Sequence, residues 1–407
     1  MQIELSDVVL ALSDAIDLVG IDDDKHGKRV GVMAADCAHE LGWSEREQVL
    51  MLNAGLLHDC GVSSTRVHHH LVSEFDWQGS QEHCLRGEAL LKNVAPLAHL
   101  AEIVRYHHTH WCDLPTGLDR ATALAANLIF LVDRVDALTA AFYGAPDYLL
   151  KKESSRLSIA EHSGQRFAPE LIEAFLSASK RESFWLNLEP RYLAHMLPQR
   201  LGREAGAELG LAAVRSLAMM FSAIVDAKSP FTAEHSEGVA RLAFDLARVA
   251  GLDAETCARI EIAGLLHDIG KLRVADEILE KPGPLDAGQR AAIMRHSYET
   301  YQILGGIRGL EEIALWAASH HEKLDGSGYP FHLGSDELPL ASRIIAVADV
   351  CQALVQDRPY RKPLGAENVL DYLHEQRKEG HLDGDVIALL ERDSARSFAL
   401  ARCAQAA

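Results

Sequence analysis

The chain reads as a succession of amphipathic helices. Apolar residues recur at three- and four-residue intervals over residues 30–41, 45–57, 98–107, 121–142, 214–225, 238–250 and 255–266, the period of one helical face. Alternating β-branched runs are scarce. Aspartate or serine stands before several of these stretches, and Gly42 and Gly251 stand after two of them, as helix starts and stops require. An all-α fold is predicted.

The pattern also repeats. Asn53-Ala-Gly-Leu-Leu-His58-Asp59-Cys-Gly61 returns as Ile262-Ala-Gly-Leu-Leu-His267-Asp268-Ile-Gly270, at an offset of 209 residues. His26 lies 32 residues before His58, and His235 lies 32 before His267. His83 precedes the His107-His108 pair by 24 residues, and His296 precedes His320-His321 by the same 24. Each half then places an aspartate in an apolar helix, Asp133 in the first and Asp349 in the second. Self-similarity of this kind marks a duplicated unit. Two tandem helical domains are predicted, at 1–195 and 229–395, with a helical connector at 196–228 and a tail at 396–407. The connector's apolar face, at Leu209, Ala213, Leu217 and Phe221, suits a plain core helix, an interdomain rod or a helix that pairs two chains in a homodimer.

Composition narrows the function. The 407 residues are 48% hydrophobic and 24% charged, which describes an ordinary globular chain. A formal net charge of −19 argues against DNA or an anionic membrane as a partner. No apolar run reaches spanning length, and the N-terminal residues lack the basic region of a secretory signal. The seven cysteines form no CxxC pair, so reduced thiols and a cytoplasmic location are expected.

The ordered histidines and aspartates carry the chemistry. In the second half these are His235, His267, Asp268, His296, His320, His321 and Asp349. Five imidazoles and two carboxylates suit first-row transition metals better than calcium or magnesium. Seven ligands exceed the needs of one catalytic ion but fit two ions that share Asp268. Such a pair activates a water and clamps attacking and leaving oxygens, which suits phosphoester hydrolysis. His332, His374 and His381 are read as strays, and His68-His69-His70 as a polar loop with a second reading as an added ligand patch.

The arrangement resembles the HD phosphohydrolase superfamily, and the second half resembles its HD-GYP branch. The resemblance rests on His267-Asp-Ile-Gly-Lys271, on His320-His-Glu-Lys-Leu-Asp-Gly-Ser-Gly328-Tyr329-Pro330 and on Asp357-Arg358-Pro359-Tyr360-Arg361. It implies a cyclic-dinucleotide phosphodiesterase with iron or manganese at the metal site. The expected substrate is cyclic di-GMP, opened to a linear dinucleotide and in some members taken on to mononucleotides. Cyclic GMP-AMP is the alternative substrate, and a non-catalytic dinucleotide sensor or cyclase-docking scaffold the alternative role. Asp268 and Lys271 are the expected catalytic residues, with Lys271 reaching a phosphate. Arg358 and Arg361 offer planar forks and Tyr360 a stacking face. The Gly328-Tyr329-Pro330 loop either shapes the pocket rim or docks partners such as diguanylate cyclases.

Two departures from the family pattern stand out. Members with a third metal carry a glutamate four residues before the first histidine, where this chain has Phe231, so two metals are expected. Gln352 stands where an aspartate is frequent. The first half keeps every ligand position, as His26, His58, Asp59, His83, His107, His108 and Asp133, yet Val62 replaces the lysine and 110–117 replaces the glycine-tyrosine-proline loop. It is read as a metal-loaded regulatory or dimerising module, a second hydrolase with another substrate, or a metal-free relic.

Overall fold

The computed structural model describes residues 3–20, 25–145, 147–201, 208–228, 234–356 and 363–403. Among these the fold is all-helical apart from two short strands, Ile3–Glu4 and Glu208–Leu209. None of its helices is long and apolar enough to cross a membrane. The chain divides into two compact units, residues 4–208 and residues from 209 on together with the first three.

Six helices of the first unit build its centre: α1 (Leu5–Asp17), α2 (His26–Glu40), α3 (Glu45–Leu57), α4 (Gln81–Lys92), α5 (Ala101–Tyr106) and α6 (Arg120–Thr139). Six helices of the second unit correspond to them in order: α7 (Leu211–Asp226), α8 (His235–Val249), α9 (Ala254–Leu266), α10 (Ala287–Gly305), α11 (Glu311–Ala318) and α12 (Leu340–Val355). Caps explain where several begin. Ser44 and Glu47 form a reciprocal capping box at α3, and the Asp253 carboxylate accepts from the Thr256 amide at α9, satisfying otherwise orphaned backbone donors. Gly42 and Gly251, with φ of +73° and +86°, turn the chain between the paired helices in a region that favours glycine.

The tightest packing in each unit joins the helix of the first histidine to the helix ending at the second. A Cβ on Gly55 would lie 2.4 Å from Gly31 Cα, and one on Gly264 would lie 2.9 Å from Ala240 Cα. Small residues there let the α2–α3 and α8–α9 axes approach closely. His26 and His235 are the opening residues of α2 and α8, and each follows a left-handed residue, Lys25 at φ +53° and Glu234 at φ +68°. Such conformations are uncommon away from glycine and cluster at functional sites.

Two boundaries differ from those expected. The described residues of 196–228 divide between the two units. Part of the stretch ends the helix Pro190–Leu201, which packs on α2 and α3, while α7 packs on α9 in the second unit. Helix α7 is the counterpart of α1. Both end in an aspartate that reaches the start of the next helix: Asp17 accepts from the Gly27 amide, and Asp226 from the Ser236 amide and hydroxyl. Its buried face runs from Val214 to Val225, which makes it a core helix. Residues 396–401, expected in a tail, lie in α13 (Ser394–Ala401), which packs on α8 and α12 through Phe398 and the Arg396–Asp245 ion pair.

Candidate metal centres

Local geometry of the second domain starts from the end of α9. His267 is the helix C-cap, so Asp268 leaves the helix and begins a tight turn over Ile269–Arg273. A Cβ on Gly270 would sit 2.1 Å from the His296 carbonyl oxygen. The turn therefore presses directly on α10, which carries the next ligand. Thr300, one helical turn beyond His296, accepts from the Gly270 amide and donates to the His267 carbonyl, each at 3.1 Å.

These elements bring all seven expected side chains together. His235 with His267 and Asp268, His296 with His320 and His321, and His267 with His320 and Asp349 form overlapping groups whose ligand atoms lie within 4.8 Å of one another. Asp268 stands between two clusters. Its Oδ2 faces His235 Nε2 at 3.5 Å and His267 Nε2 at 3.3 Å, while its Oδ1 faces His296 Nε2 at 3.4 Å and His320 Nε2 at 3.8 Å. Lys271 Nζ reaches Asp268 Oδ2 at 2.5 Å. The pair spans one turn of the short 3-10 helix Ile269–Arg273, which Asp268 caps.

Hydrogen bonding defines what the imidazoles can do. His267, His296 and His320 direct Nδ1 at the carbonyl three residues earlier, at 2.8, 2.6 and 2.6 Å. A carbonyl only accepts, so each Nδ1 carries the proton and each Nε2 presents a lone pair. Yet His296 Nε2 and His320 Nε2 are 3.2 Å apart, and His267 Nε2 and Asp268 Oδ1 are buried without a hydrogen-bond partner. Facing acceptors beside an unpartnered carboxylate oxygen form a donor set of imidazole and carboxylate that fits a borderline divalent metal. Burial also drives His296 down to about 3 and His321 to about 4, against partial opposition from the nearby carboxylates. Both are neutral at physiological pH, the form that binds metal. Burial would raise the Asp268 carboxyl, but His267 and Lys271 outweigh it and hold that group well below the usual range.

His235 has a different support. Its Nδ1 donates to Gln352 Oε1 at 2.5 Å, so Gln352, the residue that departs from the family pattern, orients the first ligand from outside the pocket. Such supports fix the ring and tune its basicity. The Gly328-Tyr329-Pro330 loop folds inward on the ligands. A Cβ on Gly328 would fall 2.4 Å from Glu322 Cα and 2.6 Å from the His321 carbonyl oxygen. The Tyr329 amide donates to that same carbonyl, and its ring lies 4.9 Å from the His321 ring. Glu322 anchors the next turn of the loop, its carboxylate accepting the amides of Phe331, His332 and Leu333. These contacts fix the loop against the ligand residue His321 and its neighbour Glu322. Arg358, Tyr360, Arg361 and Phe231 lie outside the described residues.

The first domain repeats the plan. Asp59 faces His26 and His58 with Oδ2, at 3.8 and 3.4 Å, and His83 and His107 with Oδ1, at 3.3 and 3.9 Å. His108 and Asp133 complete the set, with His108 Nε2 3.7 Å from Asp133 Oδ2. A Cβ on Gly61 would meet the His83 carbonyl oxygen at 2.0 Å, matching Gly270. The supports differ. His26 Nδ1 contacts Asp136 Oδ2 at 2.7 Å, and Asp136 is gripped by Arg29 and by the Tyr143 hydroxyl. Arg134 takes Asp133 Oδ2 at 2.8 Å and ties it to the Leu71, Glu74 and Phe75 carbonyls. The Cys84 thiol lies 3.8 Å from His83 Nε2, where the second domain has Ser297 beside His296. The sequence marks none of these supports. Asp136, one turn after Asp133, offers the only local signal.

The remaining histidines stand apart. His374 pairs with Glu391, His381 with Gln376, and His332 with the Gly326 carbonyl. His68, His69 and His70 belong to the helix Thr65–Ser73 rather than to a loop, and His70 stacks on Trp77 at 5.1 Å. The Ser64 hydroxyl caps that helix, a start that propensity alone does not reveal.

Comparison with known proteins agrees with this geometry. Residues 24–138 and 219–386 each match an HD domain family. Over 407 residues the chain is 39% identical to 3'3'-cGAMP-specific phosphodiesterase 1 of Vibrio cholerae, covering 98% of this chain and 94% of that one. It is 32% identical over 312 residues to 3'3'-cGAMP-specific phosphodiesterase 3 of the same organism, covering 77% of this chain and 66% of that protein. A cyclic di-GMP phosphodiesterase response regulator of Xanthomonas campestris is 40% identical over 148 residues, 36% of this chain and 39% of its own length. The fold matches that of a V. cholerae phosphodiesterase specific for cyclic GMP-AMP, with a TM-score of 0.66 at 24% identity over 97% of this chain and 98% of the other. With two HD domains in tandem and a glycine-tyrosine-proline loop in the second, the chain belongs to the HD-GYP family of HD phosphohydrolases.

Proposed function

We propose that the second domain is a metal-dependent phosphodiesterase that opens a cyclic dinucleotide and prefers 3',3'-cyclic GMP-AMP to cyclic di-GMP. The observation that carries the hydrolytic reading is Asp268, one carboxylate placed between two imidazole clusters with an ammonium against it. His235, His267, Asp268 and Asp349 would hold one ion, and Asp268, His296, His320 and His321 another. Iron or manganese fits these donors. Divalent ions bound there supply Lewis-acid polarisation of a phosphoryl oxygen and an activated water.

The chain's own residues supply the rest. Lys271, partly exposed beside Asp268, donates to a non-bridging phosphate oxygen and takes up charge that develops in the transition state. Tyr329 and the His321 turn bound the pocket, and Glu322 keeps that wall in place. The lowered His296 and His321 rings present neutral nitrogens to a metal, whereas the Asp268 and Asp349 carboxylates push His235, against its burial, up to about 9, so a metal there has to displace a proton.

Substrate preference reverses the order expected from the sequence alone. The relatives similar over most of this chain are named for 3'3'-cGAMP, whereas the named cyclic di-GMP enzyme matches little more than a third of it. Similarity that runs through both domains favours the shared substrate over one common to the second domain only. Parallel turnover of cyclic GMP-AMP and cyclic di-GMP by anaerobically purified protein tests the reading. A higher kcat/KM for cyclic GMP-AMP is expected, and equal or reversed values would remove the preference. Failure of both compounds to turn over in metal-replete protein would remove the hydrolytic reading itself.

A further inference from the structure

The corner where α1 meets α2 recurs where α7 meets α8, at the same offset of 209 residues, but with its charges exchanged. In the first unit the buried Lys28 ammonium lies 2.5 Å from Asp17 Oδ2 and 2.9 Å from Asp14 Oδ1. Lys25 stands at the left-handed position before α2. In the second unit Asp226 keeps the place of Asp17 and Ser222 that of Ser13. Ala223, however, replaces Asp14, and Glu234 and Glu237 replace Lys25 and Lys28. Two aspartates against two lysines leave the first corner formally neutral, whereas three carboxylates leave the second at −3.

The space differs with the charge. In the first unit the Lys28 side chain is packed into the corner and almost fully buried. In the second a pocket of about 340 Å³ opens there, lined by Asp226, Glu234 and Glu237 together with the apolar Met219, Ala223 and Leu265. No lysine, arginine or histidine is among its described lining residues. Lys228, two residues past Asp226, turns to Asp276 at 3.2 Å. Arg241 meets Glu237 Oε1 in a surface pair whose side chains are 40% and 37% exposed, an arrangement worth little. Asp226 accepts from the Ser236 amide and hydroxyl, neutral donors where Asp17 has an ammonium. A buried carboxylate is costly to keep charged unless a cation answers it.

The first unit therefore shows what fits the opening in the second: an ammonium on a four-carbon stem, with a carboxylate at its head and apolar groups along its length. We infer that the second unit binds a small aliphatic diamine in this pocket. One ammonium meets Asp226, in the place that Lys28 takes at Asp17, and the other meets Glu234 and Glu237, with the methylenes against Met219 and Leu265. The pocket is of small-molecule size. Its lining includes none of the seven candidate metal ligands, so the site stands apart from the reaction proposed for the second domain. Its link to that reaction is Ser236, which Asp226 holds and which directly follows His235.

Calorimetric titration of the metal-loaded full chain with 1,4-diaminobutane at low ionic strength tests it. Saturable binding of one diamine per chain is expected, with a melting midpoint that rises with diamine concentration and an unaltered metal content. Glu237→Lys supplies a tethered ammonium at the position of Lys28, and it is expected to weaken diamine binding roughly 10-fold or more. Asp226→Asn should act in the same direction, and Glu234→Gln, at an exposed position, keeps the comparison open if neither of the others folds. Absence of saturation in the wild type overturns the inference. So does equal binding by wild type and folded Glu237→Lys, the result that diffuse attraction to a chain of charge −19 would give. Metal released in step with the diamine would assign the heat to the metal centres and overturn it as well. Binding of polylysine but not of the diamine would overturn it in favour of a protein partner.

Discussion

The two domains share a ligand plan and differ in the cations that surround it. In the second, Lys271 approaches Asp268 from a side that is partly exposed. In the first, Arg29 and Arg134 are buried and spent on carboxylates, Asp136 and Asp133. A lysine with freedom to leave its partner can meet a phosphate, whereas an arginine fixed by several bonds can only hold the site's shape. Retention of imidazoles is thus a poor guide to catalysis.

Several substitutions would break or sharpen that contrast. The largest effect is expected from Asp268→Ala, which removes the carboxylate shared by both clusters. Turnover should fall by about 10³-fold or more, with metal lost from the second domain and far-UV circular dichroism still helical. Full activity in that variant would refute the site. Lys271→Ala comes next, with a fall of about 10²-fold in kcat and metal content unchanged. Parallel loss of metal would show that the ammonium holds the ligands together instead of meeting the substrate.

Gln352→Leu probes the supports. It removes the acceptor of His235 Nδ1 and should weaken metal retention by about 10-fold to 100-fold, measured by competition with a chelator. An unaltered affinity would mean that the first histidine needs no orienting partner here, in contrast to His26 with Asp136.

The smallest effect concerns Asp226 and its counterpart Asp17. Burial pushes the Asp226 carboxyl up to about 6, so the folded chain keeps that proton to higher pH than the unfolded chain does. Its contribution is fullest below the ordinary carboxylate value and is lost as pH rises through about 6. Asp226→Asn should therefore flatten the decline of melting temperature over that interval, seen by melts at several pH values. Burial raises the Asp17 carboxyl too, against the pull of Lys28, but Asp17→Asn should destabilise because buried Lys28, 2.5 Å from Asp17, would keep only Asp14 at 2.9 Å as a charged partner. Equal responses from the two variants would erase the distinction.

Much of this is legible in the sequence because it is local. The serine and aspartate starts, the glycine stops and the repeated His-Asp motif all lie within a few residues. Even the convergence of seven ligands follows from their order and spacing. The register between helices far apart in the chain cannot be read in this way. His26 meets Asp136 across 110 residues and His235 meets Gln352 across 117. Nothing near Gln352 marks it as an acceptor for an imidazole. Nothing near Arg134 in the chain marks it as a clamp, and it is the carbonyls of Leu71, Glu74 and Phe75, about 60 residues away, that close around it. The second unit starts earlier than its ligands suggest for a related reason. Helix α7 carries no ligand, and only its Asp226 contact with Ser236 shows it to be the partner of α1.

Glu322 is, finally, a mechanical part. One carboxylate clasps three consecutive amides of the surface loop, and the same residue directly succeeds His321 in the chain. The outer strap and an inner ligand are consequently a single lever with a very short arm. The placement of Phe331–Leu333 and that of the His321 ring are thereby set by neighbouring positions of one backbone.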